Sequence, residues 1–87
     1  MARTGKTKFE IAVIDKVKEM RISKGLSQYD ISMILGTSSS FIGQVEIQSH
    51  PSKYNLNHLN KLAYEFGCTP KDFLPVKPIR ETDWDKE

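Results

Sequence analysis

Apolar side chains along this chain recur at helical spacing. Val13, Val17 and Met20 share one face, with Phe9 and Ile14 beside it, while Lys16, Lys18, Glu19 and Lys24 lie largely off that stripe. The pattern predicts a first helix over 9–24, ended by Gly25, with Leu26 turning the chain back toward a core. Two shorter helices are predicted between Leu26 and Glu46. Ser27 precedes Asp30 by three residues, a capping-box spacing, and Ile31, Ile34 and Leu35 follow on one face. Gly36 then ends the helix, because glycine takes a left-handed C-cap without a Cβ penalty. Either Thr37 or Ser38 can cap the next helix, in which Ile42 and Val45 point inward and Ser39, Ser40, Gly43 and Gln44 point outward.

The second half follows the same logic. Residues 47–53 carry turn chemistry and few apolar side chains. Asn55 caps a further helix, and Tyr54 before the cap can staple against Leu59. Leu59, Leu62, Ala63 and Phe66 form a buried stripe that Gly67 stops. Thr69-Pro70-Lys71-Asp72 starts a short fifth helix that leads to Phe73 and Leu74, both expected in the core. Residues 75–87 contain two prolines and mixed charge, which predicts an extended or disordered tail. The expectation is an all-α, five-helix domain over 9–74, preceded by a flexible basic arm (1–8) and followed by that tail.

At 87 residues and 38% hydrophobic content there is room for one core. No stretch approaches a membrane span, and the apolar run Ile11–Ile14 is too short for a signal peptide. The single cysteine, Cys68, excludes an internal disulfide and a multi-cysteine metal site, so a cytoplasmic location is expected. Net charge is only +2, but Arg3, Lys6 and Lys8 concentrate positive charge at the front of the chain. Such an arm suits DNA phosphates or the minor groove. An enzyme is not expected. His50 and His58 lack companions at ligand spacing, Cys68 reads as core, and no phosphate-binding glycine loop or cofactor motif is present.

A short helix, a glycine turn and a second helix with a small polar outer face is the layout of a helix-turn-helix DNA reader. The text R-I-S-K-G-L-S-Q-Y-D-I from Arg21, L-G-T-S from Leu35, I-G-Q-V-E ending at Glu46 and the stretch from Leu59 to Leu74 resemble the Cro/repressor-type (Xre-like, lambda-repressor-like) family. Ser32 stands where that family usually has alanine, and Ile47-Gln48 replaces the usual glycine. The resemblance implies a five-helix bundle and a structural Arg21–Glu46 ion pair. It implies base contacts from Gln28, Ser39, Ser40, Phe41 and Gln44, with Phe41 at an exposed position. Backbone contacts are implied from the helix starts (Ser27, Thr37, Ser38) and from Lys53, Tyr54 and Asn55.

These features point to a transcriptional regulator, a repressor that binds double-stranded DNA as a homodimer on a two-fold operator. The alternative is a DNA-binding antitoxin or an interaction adaptor whose tail, 75–87, binds a partner protein. Trp84 reads first as a loosely packed tail residue; its functional reading is an anchor for that partner or for a second subunit.

Overall fold

The computed structural model describes residues 5–86. Among them the chain forms four α-helices: α1 (Lys8–Ser23), α2 (Gln28–Leu35), α3 (Ser39–Val45) and α4 (Leu56–Phe66). Each starts where a side chain satisfies the N–H groups that a helix start leaves unpaired. Thr7 and Glu10 form a reciprocal box at α1, Ser27 and Asp30 at α2, and Asn55 and His58 at α4. Ser38, rather than Thr37, caps α3 by accepting the Phe41 N–H at 3.1 Å. Between α2 and α3 the backbone reverses at Gly36, whose φ of 70° is the left-handed conformation that a side chain would disfavour.

The core is one cluster. Val13, Ile14 and Val17 of α1 meet Ile31 of α2, Ile42 and Val45 of α3, and Leu59, Leu62 and Ala63 of α4, with Phe73 closing one end. α2 packs on both α3 and α4, and its small Ser32 is buried at 2% exposure. Its hydroxyl, removed from water, donates to the Tyr29 carbonyl at 2.6 Å.

Two expectations need correction. The fifth helix is a single 3-10 turn, Pro70–Phe73. Pro75 disfavours helical backbone in the residue before it, and Leu74 is extended (φ −99°, ψ 141°), so the helix cannot propagate. Phe73 is buried, but Leu74 is 43% exposed. The tail, in turn, folds back onto the domain. Glu81 is 6% exposed, and its carboxylate accepts the N–H groups of Lys8 (2.9 Å) and Phe9 (3.0 Å). A carboxylate at a helix start satisfies orphan donors and faces the positive end of the helix dipole. A second 3-10 turn, Thr82–Lys86, follows.

Candidate nucleic-acid interface

α3 is held at both ends and offers its outer face. At its C-terminal end Glu46 receives Arg21 through two hydrogen bonds, Nε to Oε2 and Nη2 to Oε1, each 3.0 Å. Arg21 also donates to the Leu26 carbonyl at 2.9 Å. The pair is largely buried, and this fork matches a guanidinium to a carboxylate with all its hydrogen bonds directed. Gln28 completes the brace: its amide donates to Glu46 Oε1 at 3.0 Å and lies over Gly43, where a Cβ would stand 3.4 Å from Gln28 Oε1. A bulkier residue at 43 would press on that amide.

Ser39, Ser40 and Gln44 of α3 are exposed, as are the caps Ser27, Ser38 and Asn55. Gln44 thus presents a carboxamide, able to donate and accept, beside two small hydroxyls. The Ser38 and Ser40 hydroxyls lie 3.3 Å apart.

Other residues expected at the interface are already engaged elsewhere. Phe41 is not exposed: it packs against the core, and its ring lies 5.7 Å from that of His58. Facing α4 gives this large apolar ring more buried contact than solvent would. Tyr54 is buried, and its hydroxyl is enclosed with no hydrogen-bond partner among the described residues. Burial pushes that phenol's pKa far up, with the Glu46 carboxylate adding to the effect. The Thr37 hydroxyl is likewise enclosed, so neither it nor Tyr54 presents an oxygen to a phosphate. Lys53 is exposed but pairs with Glu10 at 2.7 Å. Burial works against the Glu10 carboxylate, yet the bonds from Lys53 and from the Thr7 backbone hold its pKa below the usual value.

The arm also differs from expectation in its described part. Lys8 is the first residue of α1, and Lys6 donates to the carbonyls of Gln44, Ile47 (2.5 Å) and His50. Burial lowers the pKa of this ammonium. Arg3 lies outside the described residues. Nothing in local spacing pointed to Glu81 or to the Lys6 contacts, because each joins distant parts of the chain. The histidines bond to backbone: Nδ1 of His50 accepts the Ser52 N–H and Nδ1 of His58 the Asn55 N–H, both at 3.1 Å.

No family model matches the chain, and no curated protein does. Solved structures do match. The chain is similar to the restriction-modification controller protein C.AhdI from Aeromonas hydrophila, with 26% identity, a TM-score of 0.62, and coverage of 74% of this chain and 94% of that one. It is also similar to a transcriptional regulator of the HTH_3 family from Vibrio cholerae, with 26% identity and a TM-score of 0.60 over 75% of this chain and 35% of that one. The fold is that of a Cro/repressor-type helix-turn-helix domain. In that fold α2 and α3 correspond to the two helices of the motif. Hydroxypropylphosphonic acid epoxidase from S. wedmorenis shares the fold (TM-score 0.64) at 15% identity over 36% of its own length. That likeness carries the fold alone. Among the described residues no helix is long and apolar enough to cross a membrane.

Proposed function

We propose that this chain is a sequence-specific, double-stranded DNA-binding transcriptional regulator that acts as a repressor, in dimeric form, on a two-fold operator. The observation that carries the proposal is the exposed row Ser39, Ser40 and Gln44 on a helix braced by Arg21, Glu46 and Gln28. The similarity to two proteins described as a controller protein and a transcriptional regulator supports it.

In this reading α3 enters the major groove. Gln44 binds adenine through two hydrogen bonds, worth about 1–3 kcal/mol against a wrong base. Ser39 and Ser40 donate or accept and discriminate less. The reading face carries no arginine to grip guanine, so the operator holds A·T pairs near Gln44. Backbone N–H groups at the starts of α2, α3 and α4 meet phosphates, with Ser27, Ser38 and Asn55 at the rim. One module of this size reads few base pairs, and a dimer spanning half-sites about 34 Å apart solves that. Leu74, Val76 and Trp84, exposed at 43%, 103% and 49%, supply apolar surface for the second copy.

The test is selection of bound duplexes from a random pool, followed by salt titration of the winner. A two-fold motif with affinity falling steeply as salt rises is expected. An invariant G·C pair under Gln44 overturns the assignment of that residue. No enrichment at low salt overturns the DNA reading and favours a partner protein bound at the tail around Trp84.

A further inference from the structure

Lys6 is the one described residue of the basic arm whose ammonium turns inward to α3. Its Nζ lies 3.5 Å from the Gln44 carbonyl and 2.5 Å from that of Ile47, and it also bonds the His50 carbonyl. Gly5 runs along the same turn: a Cβ built there would stand 3.5 Å from the Gln48 carbonyl and 3.8 Å from that of Ser49. Of the three carbonyls that Lys6 meets, only that of Gln44 belongs to α3; it already accepts the Ile47 N–H at 3.1 Å, as the Ile47 carbonyl accepts that of His50 at 3.1 Å, so the ammonium adds a further bond and places a cation at the negative end of the helix dipole. The root of Lys6 is fixed as well. Thr7 beside it caps α1 with Glu10, and Glu10 is pinned by Lys53.

We propose that Lys6 is a positioning residue for DNA recognition: it ties the chain's N-terminal segment to the C-terminal end of α3 and thereby holds Gln44 in register with its base pair. The inference rests on the DNA-binding reading above. It assigns Lys6 to protein carbonyls rather than to phosphate, which separates it from an ordinary basic-arm contact. One of the three carbonyls belongs to Gln44 itself, so the tether acts on the backbone that carries the reading side chain.

The experiment compares wild-type chain, Lys6→Met and Lys6→Arg on the selected duplex and on a duplex mismatched under Gln44, across a salt series. A lysine that neutralises a phosphate contributes about one unit to the slope of log affinity against log salt. A positioning lysine does not. K6M is expected to bind the selected duplex roughly tenfold more weakly, as for a lost charge-assisted hydrogen bond. Its salt slope is expected to stay at the wild-type value, with a smaller ratio between matched and mismatched duplexes. K6R, which keeps the charge and the donors, is expected to recover most of both. A slope lower by about one with the ratio intact makes Lys6 a phosphate contact and overturns the proposal. Wild-type behaviour of K6M overturns it too, as does loss of helix content by circular dichroism, which would make Lys6 a residue of the fold. Failure of the wild-type chain itself to bind any duplex removes the DNA reading instead, a distinct result obtained before any variant is compared.

Discussion

Arg21 and Glu46 meet through two parallel hydrogen bonds of 3.0 Å and join the end of α1 to the end of α3. Glu46 is 4% exposed at its side chain and Arg21 11%, so each charge depends on the other. Removing Arg21 strands a buried carboxylate. R21M is expected to lose about 3–5 kcal/mol of stability, read as a lower midpoint in urea. Changing both residues to apolar ones of similar volume is expected to recover much of that loss, because no unpaired charge then remains.

Glu81 offers a second test, since it joins the two ends of the chain. Its two oxygens are spent on the N–H groups of Lys8 and Phe9. E81A leaves both donors without an acceptor, and a bond to a charged group contributes about 1.5–3 kcal/mol. A lower urea midpoint is expected, together with faster amide exchange at the start of α1. An unchanged midpoint would show that the tail does not fasten α1.

The α4 cap predicts a dependence on pH. Burial holds the His58 pKa below its ordinary value, and the neutral Nδ1 accepts the Asn55 N–H. The unfolded histidine titrates near about 6.5. Below that pH the unfolded chain binds more protons than the folded one. Stability therefore falls as pH drops from that value through the lowered folded one, and this contribution is level above it. Thermal midpoints measured across this range should show the slope. H58E places a carboxylate at the same cap position and is expected to move the slope to the carboxylate range.

Reading of bases is tested at Gln44. Q44A is expected to lose about 1–3 kcal/mol of discrimination at one base pair. Its salt slope should stay unchanged, because no phosphate contact is removed. Competition binding against single-base variants of the selected site gives both quantities. Equal losses on all variants would mean that Gln44 does not read sequence.

Local spacing alone determined the four α-helices of this protein, though it also predicted a fifth where the chain makes one 3-10 turn. Ser27 to Asp30, Asn55 to His58 and the stop at Gly36 act over one turn, and apolar stripes such as Leu59, Leu62, Ala63 and Phe66 repeat over two. A cap or a stripe needs only neighbours three or four residues away, so it is written in the order of residues. The Arg21–Glu46 pair, by contrast, was implied by the family resemblance. What the tertiary structure decided was where the polar and aromatic side chains of the ends and loops go. Glu81 finds Lys8 across 73 positions and Lys6 finds His50 across 44. Lys53 turns to Glu10, while Phe41 and Tyr54 turn to the core. Segment-by-segment reading gave Lys6 and Glu81 no partner, and so left Lys6 to DNA and residues 75–87 to an extended or disordered tail, while the family resemblance placed Lys53, Tyr54 and Phe41 at DNA. The physical reason is that a charge or a ring settles by the field and the cavity it meets, and those exist only once the helices have packed.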